Sequence, residues 1–470
     1  MILEMVASGG DRPVVTANGR SLTASELLAR ARAAHRFQGH PAVLYLSTSH
    51  LAYPVALFGA ALAGIPFIPL NYRLGEHQLN RLLARHPGAL VLRPADLDAL
   101  LSAEEDTAVP ELAQDQDSVA VVLYTSGTTA EPKAALLRHR HLLAYVLNTQ
   151  EFASAEEGDA ALVAVPPYHV AGLMNLLTNL YSGRRLVYLS AFDPGEWLET
   201  ARSEQVTHAL VVPTMLARIV AEVPADDAGT PALRSLAYGG ARTPRPVVER
   251  ALRIFPGAGF VNAYGLTETA SSVAVLGPED HREALASADP AVRDRLGSVG
   301  RPLPGVEIEI RDDDGRRVAA GETGLVFVRG DQISGEYGGR SALDADGWFP
   351  TRDRGRLDGD GYLFIEGRAD DTIIRGGENI APAEIEDVLV AHPGIVEAAV
   401  VGVADSEWGQ RIVAVVVGEG DPAEVRQWVR DRLRSSKTPD TVVFRAELPK
   451  TETGKLLRRT LLAELETTHA

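Results

Sequence analysis

The sequence predicts an α/β protein with a large N-terminal domain of several subdomains and a smaller α+β C-terminal domain. Three observations predict it. Apolar runs typical of buried strands alternate with helical patterns over most of the chain, which indicates mostly parallel sheets. Near residue 297 the pattern changes to short alternating strands separated by Asp/Gly turns. After a polar run at 368–371, about 100 further residues carry a compact α+β pattern, enough for an independent domain.

The first part of the chain is expected to form two α/β sheets. Its predicted buried strands are residues 119–124, 160–165, 185–189, 208–212 and 235–238, with helical segments such as 244–255 between them. The uncharged stretch 51–70 is long enough to span a bilayer. It contains Pro54, Pro66 and Pro69 and mostly small apolar residues, so we expect a buried helix followed by a buried strand.

The second part is predicted to be a small antiparallel β-unit with strands at 306–310, 325–328 and 362–365. Asp358 and Asp360 suggest the start of a calcium loop, but Tyr362 occupies the next ligand position, so a turn is favoured. The domain boundary is placed between residues 368 and 369, which gives domains 1–368 and 369–470. The C-terminal domain is expected to contain helices 383–389 and 422–433 and strands 396–403, 412–417 and 441–448.

Composition excludes several function classes. The 470 residues include 46 Lys+Arg and 63 Asp+Glu, a net charge of −17, so an overall basic footprint for nucleic acid or anionic lipid is absent and anionic substrates must meet local cations. The chain has no cysteine, which excludes disulfides, thiolate metal ligands and a cysteine nucleophile. Any thioester chemistry therefore needs a thiol from outside. The start of the chain lacks a secretory pattern, and a cytoplasmic location is expected. The oligomeric state cannot be read from the sequence.

The most informative stretch, 124–133, reads YTSGTTAEPK and follows a predicted buried strand. Small hydroxyl residues and glycine let backbone N–H groups close around phosphate oxygens, and a lysine adds a point charge. It is not a Walker A loop, because Pro132 precedes Lys133 and Ala134 follows it. The candidate phosphate ligands are Thr125, Ser126, Gly127, Thr128, Thr129 and Lys133.

This loop resembles the phosphate loop of the adenylate-forming superfamily of acyl- and aryl-CoA ligases, luciferases and peptide-synthetase adenylation domains. Seven further segments resemble that family's motifs in order and spacing, over some 330 residues in all. They are PPYHVAG at 166–172, YGGA at 238–241, YGLTET at 264–269, TRD at 351–353 with Gly361 and Tyr362, GRADD at 367–371, RGGENIAPAEIE at 375–386 and PKTETGK at 449–455.

The resemblance implies a reaction in two steps. A carboxylate attacks the α-phosphate of ATP to give acyl-AMP and pyrophosphate, and a thiol, usually that of coenzyme A, then displaces AMP. It also implies roles for residues. Glu268 would hold Mg²⁺, Asp353 the ribose hydroxyls and Tyr264 the adenine, while Lys455 neutralises charge between carboxylate and α-phosphate. The remaining nucleotide contacts would come from Gly239, Gly240, Ala241, Gly265, Thr267 and Arg368, with Thr128 also catalytic.

In the family the C-terminal domain is mobile and rotates between the two steps, which assigns Asp370 as the hinge. Lys455 then leaves the site, and the loop near Gly376 and Gly377 enters it. Two glycines suit close approach of the backbone to a pantetheine arm. His169 resembles a residue between the acyl pocket and the thiol tunnel. His139 and His141, in an alternating Arg-His series, are instead predicted to form a solvated face at a helix start.

The acyl pocket is expected near His169, Val170, Asn175, Thr214, Met215 and Tyr238. Tyr238 is bulky where many relatives carry Ser or Ala, and Asn175 is polar inside an apolar run, which favours a short, aromatic or polar-substituted acid over a long fatty chain. The partners are therefore a small carboxylic acid, ATP and CoA, with no nucleic acid and no membrane span.

Some positions depart from the common family pattern. Ala130 and Ala134 each replace a glycine of the phosphate loop, and Arg352 replaces the glycine before the ribose aspartate, but none of these changes removes a catalytic group. The favoured function is an ATP-dependent carboxylate–CoA ligase. An adenylating enzyme whose acceptor is an amine, a carrier protein or another small nucleophile is the alternative. An inactive nucleotide-binding homologue is disfavoured by the retained catalytic residues.

Overall fold

The computed structural model describes residues 1–102, 115–125, 132–224, 226–375, 378–405, 408–433, 435–451 and 454–468. Its mixed α/β architecture confirms the predicted fold class. The N-terminal helices are α1 (Ile2–Ala7), α2 (Ala24–Ala33), α3 (Ala52–Leu62), α4 (Glu76–Leu83), α5 (Pro94–Leu101), α6 (His139–Thr149), α7 (Val170–Ser182), α8 (Pro194–Ser203), α9 (Pro213–Glu222), α10 (Arg245–Ile254), α11 (Pro278–Ala286) and α12 (Pro290–Asp294).

The strands that accompany these helices are β1 (Pro13–Ala17), β2 (Arg20–Thr23), β3 (Val43–Tyr45), β4 (Phe67–Pro69), β5 (Leu90–Leu92), β6 (Val119–Thr125), β7 (Lys133–Arg138), β8 (Ala160–Val163), β9 (Arg185–Tyr188), β10 (His208–Val211), β11 (Ser235–Gly239), β12 (Gly259–Leu266), β13 (Ser271–Leu276) and β14 (Arg301–Pro302). The later strands are β15 (Val306–Arg311), β16 (Gly324–Gly330), β17 (Glu336–Tyr337), β18 (Arg340–Ser341), β19 (Phe349–Leu357), β20 (Leu363–Arg368), β21 (Ile373–Arg375), β22 (Glu378–Ile380), β23 (Ile395–Asp405), β24 (Gly409–Gly418) and β25 (Thr441–Arg445). The remaining helices are α13 (Pro382–Val390), α14 (Pro422–Arg430) and α15 (Arg458–Thr468).

Two large sheets make up most of the N-terminal part. The nine-stranded sheet has the order β14-β13-β12-β11-β10-β8-β9-β1-β2 and is parallel from β12 to β1. The seven-stranded sheet has the order β18-β17-β7-β6-β4-β3-β5 and is parallel from β6 to β5. One hydrophobic cluster extends over both sheets and the helices that cover them. In α/β sheets of this kind, ligands bind outside the carboxyl ends of the parallel strands.

The small β-unit is antiparallel, as predicted, with the order β15-β16-β19-β20. Strand β20 ends at Arg368, and the domain boundary placed there stays a prediction. Beyond it, β23, β24 and β25 form a three-stranded sheet with an apolar cluster on each face. Helices α13 and α14 contribute to one cluster and α15 to the other.

Short polar side chains and prolines determine where several helices begin. Asp193 accepts hydrogen bonds from the N–H groups of Gly195 and Glu196 at 2.9 and 3.0 Å, and Pro194 is the first residue of α8. Asp421 starts α14 in the same way, with Pro422 as its first residue. Both starts satisfy N–H groups that have no partner within the helix.

The uncharged stretch 51–70 forms the buried helix α3 and the buried strand β4, as expected. No helix in the described ranges is long and apolar enough to cross a bilayer. The solvated face expected at 139–141 is wrong for His141, which is 3 % exposed. Its Nδ1 accepts the N–H of Arg138 at 3.2 Å at the start of α6, so the ring completes a helix cap and needs its acceptor form.

Candidate active site

A single cavity of about 1160 Å³ lies beside the carboxyl ends of β10, β11 and β12 and continues between α7 and the sheet. It brings together residues that are distant in the sequence. Among the residues that line it are Thr125, Lys133, His169, Glu268, Arg368 and Lys455. Ser126, Gly127, Thr128, Thr129, Gly376 and Gly377 lie outside the described residues.

One corner of the cavity combines a carboxylate with a lysine. Glu268 is 8 % exposed, and its Oε1 accepts a hydrogen bond from the phenol of Tyr337. The Nζ of Lys133, the first residue of β7, lies 5.7 Å from the centroid of the Tyr337 ring. Burial, and then the charge of Glu268, raises the pKa of Tyr337, so the phenol keeps its proton and donates. This hydrogen bond fixes the direction in which Glu268 presents its carboxylate.

This corner fits a hard divalent cation that shares its ligands with phosphate. Mg²⁺ prefers oxygen ligands and is bound by one or two carboxylates together with substrate phosphates. The Tyr337 bond occupies one oxygen of Glu268 and leaves Oε2 for a cation.

A second polar group lies beside the cavity and is built on Asp353, which is 4 % exposed and is not among the described lining residues, although Arg368 is. In the β19–β20 pairing Asp353 lies directly opposite Arg368, and the Arg368 Nη1 donates to Asp353 Oδ1 at 2.8 Å. The phenol of Tyr264 donates to Oδ2 at 2.6 Å. Burial tends to lower the pKa of the Arg368 guanidinium, but the negative charge of Asp353 has the larger effect, so this pKa is raised. Burial, and then Asp353, also raises the pKa of Tyr264.

Arg352 precedes this aspartate and has a left-handed backbone, with φ of 63°. Its side chain is exposed and belongs to the cavity lining. A residue other than glycine in this conformation is uncommon and strained. The backbone thus keeps the shape that suits the glycine expected here.

The glycines at the ends of β11 and β12 are required by packing. A Cβ on Gly239 would lie 2.2 Å from the carbonyl oxygen of Ala263, and one on Gly265 would lie 1.9 Å from that of Ser271. Gly240 has φ of 88° and needs glycine for its conformation. Gly239, Gly240, Gly265 and Thr267 line the cavity. Ala241 and Tyr264 are not among the described lining residues, although both adjoin residues that are.

Lys455 enters the cavity from the C-terminal part of the chain. Its backbone N–H donates to Thr451 Oγ1 at 3.0 Å. The preceding Gly454 has φ of 79° and lies so close to Thr214 that a Cβ there would be 2.2 Å from Thr214 Cγ2. Thr214 of α9 therefore packs against Gly454, next to Lys455, and is not a pocket residue as predicted. Asp370, the predicted hinge, also lines the cavity.

Helix α7 forms one wall of the cavity from Val170 to Asn179. His169 is its N-cap residue, and its ring centroid lies 4.6 Å from that of Tyr168. Residues at helical spacing face the same way, and the lining includes Val170, Ala171, Met174, Asn175, Thr178 and Asn179. His169, Val170 and Asn175 thus line the cavity, and their place in an acyl pocket stays a prediction.

Alternate residues of β11 and, up to Gly265, of β12 form the opposite wall, together with consecutive residues of β10. Ser235, Ala237 and Gly239 of β11 face the cavity, as do Val261, Ala263 and Gly265 of β12 and His208 and Leu210 of β10. Small side chains in the middle of this wall leave a channel that continues to the amino ends of the strands.

Tyr238 is not a pocket residue, contrary to the prediction. Side chains alternate between the two faces of a strand, and Tyr238 lies between the cavity residues Ala237 and Gly239. Its ring is 1 % exposed, and its hydroxyl hydrogen-bonds to Nε2 of His281 at 2.9 Å on the far face. Met215, 6 % exposed, likewise packs in the hydrophobic core and is not among the described lining residues.

Sequence reasoning missed two groups in this cavity. Tyr337 orients Glu268 from a two-residue strand that no motif identified. Arg184 and His208 line the far end of the channel. The only signal in the sequence was the adjacent pair Arg184-Arg185, and the sequence does not show which of the two is neutralised. Arg185 does pair with Glu204 at 2.7 Å.

Comparisons with known proteins agree over nearly the whole chain. Residues 4–337 match the family model for AMP-binding enzymes, and residues 384–455 match the model for the AMP-binding enzyme C-terminal domain. A feruloyl-CoA synthase of an Amycolatopsis species is 37 % identical over 440 residues, which cover 88 % of this chain and 87 % of that protein. An indoleacetate–CoA ligase of Aromatoleum aromaticum is 34 % identical over 469 residues, which cover 92 % of this chain and 89 % of that protein.

Solved structures show the same architecture. ATP-bound MatB from Rhodopseudomonas palustris superimposes with a TM-score of 0.87 at 26 % identity and covers 100 % of both chains. The o-succinylbenzoate-CoA synthetase of Bacillus subtilis, in complex with its acyl-adenylate intermediate, gives a TM-score of 0.84 at 28 % identity, with coverage of 98 % and 97 %.

Proposed function

The chain belongs to the AMP-binding enzymes of the adenylate-forming superfamily, and we propose that it joins an aryl-substituted carboxylic acid to coenzyme A at the expense of ATP. It is an AMP-forming acid–thiol ligase that acts through an acyl-adenylate. The convergence of Lys455, Glu268 and Arg368, the ion-pair partner of Asp353, on one cavity carries this proposal. The named acids of its relatives, ferulate, indoleacetate and succinylbenzoate, support an aromatic body.

In the first step a carboxylate oxygen bonds to the α-phosphorus of ATP, and the bond from that phosphorus to pyrophosphate breaks. Both reactants are anions, so the site must supply positive charge and fixed donors. Lys455 lies in the cavity for this task, and Lys133 lies at the Glu268 corner. Glu268 would hold Mg²⁺, which when bound neutralises phosphate charge.

The ribose is proposed to lie against Asp353. That carboxylate already accepts bonds from Tyr264 and Arg368, and a carboxylate has about four acceptor positions. The two existing bonds hold its plane, while the remaining lone pairs can accept ribose hydroxyls. Arg368 also lines the cavity and keeps further donors for the phosphate side.

In the second step the thiol sulfur bonds to the acyl carbon, the bond to the AMP oxygen breaks, and the thiol proton leaves. Since the chain has no cysteine, the thiol comes from the substrate. His169 faces the cavity at the start of α7, where the acyl group and a thiol would meet. Lys455 occupies part of the same cavity, so we propose that rotation of residues 369–470 about Asp370 clears it between the steps.

The reaction is tested by incubating the protein with ATP, Mg²⁺ and a panel of aryl, short and long carboxylic acids, with and without CoA. Products are identified by mass spectrometry. Formation of an aryl-CoA thioester supports the ligase. Accumulation of acyl-AMP that ignores CoA favours the alternative, transfer to an amine, a carrier protein or another nucleophile. Absence of both products refutes the proposal.

Rotation is tested by tethering the two parts of the chain. Arg242 and Asp387 form an ion pair across the two parts. Cysteines at these two positions would be the only ones in the protein, so a short bismaleimide links them cleanly. We expect the tethered enzyme to form acyl-AMP normally and to lose thioester formation. Either single-cysteine variant, treated with the same reagent, is the control. Thioester formation at the normal rate in the tethered enzyme would contradict rotation.

A further inference from the structure

The far end of the acyl channel is polar and carries an unneutralised cation. Arg184 follows the last turn of α7, and its Nη1 donates to Ser182 Oγ at 3.0 Å and to the side-chain oxygens of Gln150 and Asn179 at 3.4 Å each. All three partners are neutral, and no ion pair of Arg184 occurs in the part of the chain that the structure describes. The Nε of Arg184 is buried and has no hydrogen-bond partner there.

From this arrangement we infer that the far end of the channel binds a second carboxylate of the acid, so that the substrate is a dicarboxylic acid with Arg184 as its distal anchor. The inference rests on the proposed ligase function. It adds a second recognition site to the reacting carboxylate, which is met at the other end by Lys455. Arg184 is partly exposed, but a guanidinium whose Nε is buried without a partner is costly, and a carboxylate is its best geometric partner.

Electrostatics at this end favour an anion over an apolar tail. Burial lowers the pKa of Arg184. His208, which also lines the channel there, has its pKa lowered to about 4 by burial and then by the charge of Arg184, so it is neutral near pH 7. Its Nδ1 lies 2.8 Å from the hydroxyl of Thr207. The cluster thus has a net positive charge, which a fatty chain end would desolvate further without compensating it.

Helix α7 and strand β11 give two independent estimates of the distance between the two ends of the channel. From His169 to Asn179 along α7 there are ten residues, or about 15 Å at 1.5 Å per residue. From Gly239 to Ser235 along β11 there are four, or about 13 Å at 3.3 Å per residue. The acid must therefore be extended, and its middle must be slender enough to pass Ala237 and Ala263.

The test compares acids that differ only at the far end. Sebacic acid is paired with decanoic acid, and para-carboxycinnamic acid with para-methylcinnamic acid. Thioester formation is measured with ATP, Mg²⁺ and CoA. The wild-type enzyme should prefer the dicarboxylate of at least one pair by about 10-fold or more in kcat/KM, since hydrogen bonds to charged groups are the strong ones.

Variants then assign the preference to Arg184. Arg184→Met should lower kcat/KM for that dicarboxylate about 10- to 100-fold, mainly through KM, and change the matched monoacid less than about 3-fold. Arg184→Lys should restore part of the loss. Arg185→Gln, at the neighbouring arginine that pairs with Glu204, is the control and should leave the preference unchanged.

Each outcome decides the inference. Preference for the monoacids in both pairs, or equal loss for both acids of a pair in Arg184→Met, would overturn the distal carboxylate site while leaving the ligase intact. If no acid of any kind yields a thioester or an adenylate, the proposed function itself fails. The wild-type comparison does not depend on whether the variants fold.

Discussion

Replacing Tyr238 by Phe should weaken the fold and leave the acid preference unchanged. His281 Nδ1 donates to the carbonyl of Gly277 at 2.7 Å, so its Nε2 accepts from Tyr238. Tyr238 is 1 % exposed and His281 0 % exposed, so Tyr238→Phe strands a buried acceptor and keeps the ring packing. The cost of such a stranded group is about 1–3 kcal/mol.

The assay has two parts. Urea denaturation should show the predicted loss of stability, and kcat/KM for each acid should stay within about 2-fold of wild type, since the ring faces away from the channel. The matched variant is Ala237→Val, one residue earlier on the cavity face. Its two added methyl groups should cut kcat/KM for aromatic acids about 10-fold or more, at 1–3 kcal/mol per methylene-sized change.

A shift of acid preference in Tyr238→Phe would refute the assignment of this side chain to the far face of β11. An Ala237→Val enzyme with an unaltered profile would refute the position of the channel wall.

Three further perturbations test other parts of the structure. Lys455→Ala should lower acyl-AMP formation about 10²–10³-fold and leave the reaction of supplied acyl-AMP with CoA nearly unchanged; equal loss in both half-reactions would contradict its role. Arg352→Gly should raise the free energy of unfolding by about 0.5–1 kcal/mol, because φ is 63° there, with Arg352→Asn as the left-handed control; lower stability would show that the arginine side chain makes a needed contact. Burial, mainly, lowers the pKa of His141 from 6.5 to about 4. As the pH falls, the unfolded chain therefore binds a proton at this residue before the folded protein does. The free energy of unfolding should be highest above pH 6.5 and decrease towards pH 4, by at most about 1.4 kcal/mol per pH unit. In His141→Gln, which retains a capping acceptor, denaturation midpoints should depend less on pH; an unchanged slope would assign the pH dependence elsewhere.

The position of cavity residues was predictable where a contiguous motif follows a buried strand. The order of strand, hydroxyl-rich loop and Lys133 predicted a site at the carboxyl edge of the sheet, where a loop after a buried strand lies, and Thr125 and Lys133 do line the cavity; phosphate binding there stays a prediction. The antiparallel texture after residue 297 was readable for the same reason. It is a local property, since alternation and turns act over a few residues.

The strand face on which a side chain lies, and the residue with which it pairs, were not predictable. The prediction that Tyr238 lines the pocket was wrong because alternation along β11 shows only that neighbouring side chains lie on opposite faces. It does not show which face is covered by α7 and which by α11. The Tyr264–Asp353 hydrogen bond joins residues 89 positions apart and needs the register of two sheets. His141 failed because its cap geometry depends on where α6 begins. The cation at Arg184 became visible only when the partners of both adjacent arginines were known.

Helix α7 begins at His169, where the reacting groups are proposed to meet, and ends with Gly183 in a left-handed turn beside Arg184. If both proposals hold, one helix positions the reacting groups at its amino end and the distal anchor at its carboxyl end. A change of one helical turn, about 5.4 Å, would move the selectivity filter without touching the chemistry. Substitutions at the carboxyl end of α7 should therefore change which acid is accepted without altering the residues proposed for adenylation.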